Sequence, residues 1–323
     1  MKTIEKPELC FPQLFNNSCK KHVRPHSESM FIYTLLSSIS LLTVFLNLLV
    51  IISISHFRQL HTPTNLLLLS LAVSDFLVGL IVMPFQILLA EPCWFLGDLV
   101  CALYHFVPFI TVCASVVNML LISVDRYVAI CDPLRYSAKI TVNRVRISVL
   151  LCWIYSVFYS FMFLSDNLKQ PGRYNSCYGE CGINIIITVD LVFGFIIPIS
   201  SIIILYIKVF VVAVSQARSM RSHNLGGKLQ HSTNAKKSEL KAARTLGVIV
   251  AVFLTCYCPS YCVPLFGLIL DSVTNRFILF LVYFNSCLNP VIYAFFYSWF
   301  RKSLKLIVTL AILRPNSREC NLL

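Results

Sequence analysis

The chain has 323 residues, of which 57% are hydrophobic and only 13% charged, yet its formal net charge is +13. A soluble domain carries about 25% charged residues, so this composition excludes an ordinary soluble enzyme, and its apolarity excludes disorder. The basic excess lies in short loops rather than on a polar domain, so it indicates a membrane protein with one basic face, not a nucleic-acid binder.

Residues 1–29 are polar, with Lys2, Lys6, Lys20, Lys21 and Arg24, and lack the apolar core of a signal peptide. Insertion is therefore expected to start at the first apolar segment. A spanning helix needs about 20 apolar residues. Seven stretches qualify, at roughly 30–54, 64–90, 98–131, 146–166, 183–214, 241–268 and 275–297. Between the fifth and sixth, residues 215–240 hold Gly226, Gly227 and several cations and read as a mobile basic connector. An eighth stretch, 298–312, alternates Trp299, Phe300 and Leu304 with Arg301, Lys302 and Lys305, the pattern of a helix lying in the interface. The expected fold is an all-α membrane protein: an outer N-terminus (1–29), a seven-transmembrane-helix bundle (30–297) and a short amphipathic helix with a cytoplasmic tail (298–323).

With the N-terminus outside, 19 of the 27 Lys and Arg residues fall on the inner side, as the positive-inside tendency requires. Six of the 14 cysteines then lie on the oxidising outer side: Cys10, Cys19, Cys93, Cys101, Cys177 and Cys181. Six cysteines allow 15 connectivities, and sequence alone does not choose among them. Asn16-Asn17-Ser18 is a glycosylation sequon, with Asn16 as acceptor. No internal repeat is visible, which argues against an inverted-repeat transporter.

Short motifs then appear in a fixed order. They are Asn47 in the first span, Leu71-Ala72-Val73-Ser74-Asp75 in the second, Asp125-Arg126-Tyr127 ending the third and Trp153 in the fourth. Pro198 follows in the fifth, Pro259 in the sixth and Asn289-Pro290-Val291-Ile292-Tyr293 in the seventh. In this order the chain resembles a rhodopsin-like G-protein-coupled receptor over essentially its full length. Asp75 is a mid-span carboxylate, and intramembrane acids are costly; Asn47, Ser115, Asn285 and Asn289 are its candidate polar neighbours. The resemblance implies that Asp75, Ser115, Asn285 and Asn289 hold a sodium ion; the plainer alternative is a protonated acid in a packing network. It further implies an activation switch of Asp125, Arg126, Tyr127 and Glu239 at the inner ends of spans three and six, with Tyr206, Phe253, Pro259, Asn289, Pro290 and Tyr293. The plainer reading there is a surface ion pair, worth about 0–1 kcal/mol. Among the outer cysteines the resemblance selects Cys101–Cys181.

A finer resemblance is to the trace amine-associated receptors. It rests on the run Tyr297-Ser298-Trp299-Phe300 after the span-seven motif, on Cys177-Tyr178-Gly179-Glu180-Cys181, and on Glu8-Leu9-Cys10 and Asn17-Ser18-Cys19. It implies a second bridge, Cys19–Cys177, with Cys10 spare. Amine receptors usually carry an Asp seven residues after the bridging cysteine of span three; here that position is Pro108. Span five supplies another acid, Asp190, in an apolar run. An unpaired carboxylate there costs several kcal/mol, about the value for a buried charge. Similar receptors of a fish-enriched clade have lost the first acid and gained the second. This implies that Asp190 takes the ligand ammonium, with Tyr283, Phe109, Val112, Tyr257, Ser260, Tyr261 and Phe280 as pocket walls. Tyr257 stands where the family has Trp. Asp190 is the one acid at pocket depth, which favours a monoamine.

These implications add up to a plasma-membrane, multi-pass receptor of the olfactory type, not an enzyme. Its partners are a small-molecule amine outside, a stimulatory heterotrimeric G protein raising cAMP inside, and the lipid bilayer, with no nucleic acid. No cofactor is expected beyond sodium as an allosteric ligand. The rivals are a receptor for a non-amine ligand, with Asp190 structural, and a transporter or channel using Asp75 and Asp190 as an ion path.

Overall fold

A computed structural model describes residues 8–14, 17–21, 26–89, 91, 93–184, 187–223, 230–266, 272–314, 317–320 and 322. Helices dominate it: α1 (His26–His56), α2 (Pro63–Leu89), α3 (Asp98–Cys131) and α4 (Val142–Lys169) come first. They are followed by α5 (Ile187–Asp190, Leu191–Ile196 and Ile197–His223), α6 (Gln230–Leu265), α7 (Ser272–Phe296) and α8 (Ser298–Val308). No strand occurs among the described residues beyond two isolated bridges, Leu9 with Lys20 and Ser18 with Tyr178. Among the described residues, six helices are long and apolar enough to cross a membrane, and α6 contributes a shorter apolar stretch, Gly247–Val263.

Local chemistry sets the helix ends. Thr62 caps α2 by accepting from the Asn65 N–H, with Pro63 at the first turn; Thr141 caps α4 by accepting from the Arg144 N–H. The end of α8 is set by Leu310, whose φ of 54° is left-handed and stops the helix.

Two helices carry π turns, Val78–Val82 in α2 and Leu191–Ile196 in α5. Each ends two residues before a proline, Pro84 and Pro198. Proline lacks the N–H and its ring crowds the carbonyl four residues back, and the widened turn accommodates both defects. The sequence leads one to expect a bend at Pro198; the structure places a π turn there.

The connector at 215–240 differs from expectation. Helix α5 continues to His223 and α6 starts at Gln230. The flanking residues, rich in Ala, Lys, Gln and Arg, are good helix formers, and they carry both helices beyond the apolar layer.

Helix α3 is central, packing against α2, α4, α5 and α6. The core runs through Phe57, Leu71, Met119, Phe253 and Tyr293, all under 2% exposed. Outward-facing Leu150, Phe158, Phe161, Ile204 and Phe210 are more than half exposed, the apolar surface that lipid requires.

Candidate functional site

The outer face of the bundle is tied together by disulfides. Cys101 at the start of α3 is bridged to Cys181, and Cys19 to Cys177. Cys10, expected to be spare, is bridged to Cys93 in the α2–α3 loop. Backbone pairing explains how it gets there. The Cys10 N–H donates to the Cys19 carbonyl, the Cys19 N–H to the Tyr178 carbonyl, and the Trp94 N–H to the Gly179 carbonyl. The N-terminal segment is thus layered on the α4–α5 loop, which brings Cys10 to Cys93. The expected glycosylation acceptor, Asn16, lies outside the described residues.

Beneath this cap lies a cavity of about 660 Å3 between α2, α3, α4, α5, α6 and α7, within the 300–1,000 Å3 range of small-molecule pockets. Asp190, Phe109, Val112, Tyr257, Ser260, Tyr261 and Tyr283 all line it. Phe280 does not; it stacks between Phe277 and Phe284 with ring centroids 6.4 and 5.6 Å away. On α7 the lining stripe is Leu279, Val282 and Tyr283, and Phe280 belongs to the neighbouring stripe. Pro108 stands on the wall where an acid was missing. Thr111 Oγ1 donates to the carbonyls of Val107 and Pro108, both at 3.1 Å.

Asp190 is the one carboxylate on the wall, and no Lys or Arg lines the cavity among the described residues. Its Oδ1 accepts from the Tyr159 hydroxyl of α4 at 2.7 Å. Tyr159 was missed from sequence. It stands on the buried stripe Cys152, Ser156, Tyr159, Ser160, Leu164, whose i, i+4, i+7 spacing was the available signal. Gly194, one turn after Asp190, completes the contact. A Cβ there would lie 2.7 Å from both Asp190 Oδ1 and the Tyr159 hydroxyl, so only glycine leaves room for that hydrogen bond. Tyr155, Tyr159 and Tyr261 ring this end of the cavity, and Tyr261 is stacked on Phe195 at 4.4 Å.

The floor is Tyr257, 3% exposed, packed 4.4 Å from Phe253 on the same helix. The Ser260 hydroxyl donates to the Tyr257 carbonyl at 2.7 Å, one turn of α6 around Pro259. Below it, Asn289 Nδ2 donates to Asp75 Oδ2 at 2.8 Å, and Ser74 and Ser115 share a hydroxyl contact at 3.1 Å. Among the described residues, Asp75 Oδ1 and Asn285 Oδ1 are buried with no hydrogen-bond partner within normal distance, while Ser286 of α7 lies beside the Asp75 carboxylate. Asn47 instead ties α1 to α7, donating to the Ser286 carbonyl at 3.0 Å.

At the inner end, Arg126 Nε donates to Asp125 Oδ2 at 2.9 Å and its Nη2 donates to Thr64 of α2. Thr64 and Tyr136 each donate to Asp125 at 2.9 Å. The Asp125 side chain is only 2% exposed, so this pair is no surface ion pair. Glu239 lies in α6 with its side chain outside the described set. Tyr127 faces Lys208, whose Nζ is 5.9 Å from the ring centroid. The Tyr206 hydroxyl occupies the space that a side chain at Gly247 would need, locking α5 to α6. Pro290 and Tyr293 are buried in α7, with the Tyr293 hydroxyl unpartnered.

Comparison with known proteins places this arrangement. Residues 46–293 match the family described as 7 transmembrane receptor (rhodopsin family). The chain is 38% identical to trace amine-associated receptor 13c of Danio rerio, across 98% of this chain and 96% of the relative. It is 39% identical to trace amine-associated receptor 1 of Mus musculus across 90% and 92%. With trace amine-associated receptor 9 of Homo sapiens the identity is 38%, across 98% and 95%.

Proposed function

This chain belongs to the trace amine-associated receptors of the rhodopsin family, and from that premise we propose that it is activated by an extracellular monoamine whose ammonium pairs with Asp190. It is a multi-pass receptor of the plasma membrane and not an enzyme. The observation that carries the proposal is a carboxylate, hydrogen-bonded to Tyr159, opening onto an apolar, aromatic cavity that no Lys or Arg lines among the described residues.

An ammonium in this cavity neutralises a charge that the surroundings otherwise leave exposed to low dielectric. Tyr159 donates to Oδ1 and orients the carboxylate towards the cavity, and the rings of Tyr155 and Tyr261 supply apolar and cation–π contact. Asp190 immediately precedes the π turn of α5. A pull on it is transmitted along α5 to Tyr206, and along α6 through Tyr261 and Tyr257 to Phe253. Movement of α6 about Pro259 then frees the inner face, Arg126 leaves Asp125 and Thr64, and a stimulatory G protein binds and raises cAMP.

Asp75, Asn289, Ser115 and Asn285 fit a sodium ion, because hard cations take oxygen ligands and two buried oxygens there lack partners. Bound there, the ion would supply a positive charge opposite Asp75.

The test is a panel of amines and their uncharged N-acyl counterparts against the receptor in a cAMP reporter. Responses to amines with silence to the amides are expected; equal responses to the amides contradict the proposal. A second reading, a non-amine receptor in which Asp190 is structural, draws on the Tyr159–Asp190 hydrogen bond. It requires that neutral ligands respond.

A further inference from the structure

The ligand cavity has a second polar wall, which the ammonium assignment leaves unused. Gln86 of α2, Tyr104 and His105 of α3 and Tyr283 of α7 all line the cavity. Helix α2 packs against α7, whereas α5, which carries Asp190, packs against α3 and α6. These four residues therefore stand on a different wall from the carboxylate. None of them is an acid, and no second carboxylate lines the cavity among the described residues.

Their hydrogen bonds are ordered. The Tyr104 hydroxyl donates to Gln86 Oε1 at 2.6 Å, and the Tyr283 hydroxyl lies beside that of Tyr104. Tyr104 is 4% exposed, and its ring stacks on Phe85 with centroids 5.3 Å apart. His105 Nε2 is turned to Cys181 Sγ at 3.5 Å. The Gln86 amide is thus held in place by a buried tyrosine, with Oε1 occupied. Its Nε2 carries two N–H donors. That atom has no partner among the described residues and is not sealed off from the cavity. Covering such a donor with a ligand that offers it no acceptor costs free energy.

We propose that the amine received by Asp190 carries, away from its nitrogen, an uncharged oxygen acceptor that takes an N–H of Gln86. An ether or hydroxyl oxygen has this chemistry. The inference rests on the Asp190 reading and adds to it which amines are preferred. Gln86 touches the ligand, and Tyr104 is a positioning residue that acts through Gln86. Hydrocarbon at the same place leaves the amide unpaired, which is how polar sites reject analogues lacking the matching atom. A second ammonium is disfavoured there too, because it meets a donor with no carboxylate beside it.

The test is a set of cAMP dose–response curves for the full-length receptor in cells at matched surface expression. The probes are terminal methoxyalkylamines of increasing chain length. Each is paired with the alkylamine that has a methylene in place of the oxygen, and with the terminal diamine of equal length. The readout is the potency ratio within each pair. At the chain length that spans the two walls, the methoxy compound is expected to exceed its alkylamine by roughly fivefold, the effect of one net hydrogen bond, and the diamine to be weaker than both. Gln86→Met keeps the length of the side chain and removes the donor, so the ratio should collapse to about one. Tyr104→Phe releases Gln86 and should lower the ratio in the same direction, which keeps the test valid should Gln86→Met fail to reach the surface. A ratio of one at every chain length in the wild type would overturn the proposal, as would an undiminished ratio in these variants. Diamines more potent than the methoxy compounds would overturn it as well. Failure of the Asp190 reading looks different: Asp190→Asn would then leave both members of each pair equally potent as in the wild type, whatever their ratio. Silence to every pair would contradict both readings.

Discussion

The Tyr159 hydroxyl of α4 donates to Asp190 Oδ1 of α5 across 2.7 Å. This contact orients the carboxylate on which the ligand assignment rests. Hydrogen bonds to charged groups contribute about 1.5–3 kcal/mol. Replacing Tyr159 by Phe is therefore expected to reduce amine potency by roughly tenfold, read from cAMP dose–response curves at matched surface expression. Unchanged potency would mean that the ligand itself orients Asp190.

Gly194 supplies the room for that contact, with its would-be Cβ 2.7 Å from both partners. Gly194→Ala forces one of them aside. Potency should fall at least as far as in Tyr159→Phe, while combining the two changes should add little, since both break one contact. Additive losses in the double variant would separate the two roles.

Thr64 sits between the members of the inner pair, accepting from Arg126 and donating to Asp125. Thr64→Val keeps the shape and removes both hydrogen bonds. A loss of about 1 kcal/mol shifts a two-state equilibrium by roughly fivefold. Elevated basal cAMP without ligand is the expected result. A silent variant would show that Arg126 is held by Asp125 alone.

Cys10 and Cys93 are joined across 83 residues. Cys10→Ser and Cys93→Ser should each lower the thermal stability of the purified receptor, and the double variant should match either single one. Summed losses would argue against the bridge.

Much of this was legible in the sequence, for identifiable reasons. The bilayer demands long apolar runs, so the spans follow from length alone, and the topology follows from the placement of cations. Asp190 was legible because an acid among Val189, Leu191 and Val192 has no packing rationale. Tyr159 was not, because a tyrosine in a mostly lipid-facing helix reads as ordinary packing until Asp190 is placed beside it. The stripe of Phe280 is not legible, because adjacent helical stripes differ by one residue and an aromatic suits either. The π turns could have been suspected from Pro84 and Pro198, yet proline alone gives only a defect and not the way it is relieved. Such a turn adds a residue and rotates everything beyond it by about 100°, one residue's share of a helical turn. Face assignments counted across Pro198 are therefore unsafe. The bridge of Cys10 is not legible, because the resemblance implies one bridge to the N-terminus and nothing in the spacing implies the second.

The central claim is that Asp190 receives the ligand ammonium. It is tested most directly by amine dose–response curves for wild type, Asp190→Asn and Asp190→Ala at equal surface expression. Removing one partner of a buried charge pair costs about 3–5 kcal/mol, so both variants should lose potency by at least about a hundredfold while basal cAMP persists. Full amine potency in Asp190→Asn and Asp190→Ala would contradict the account.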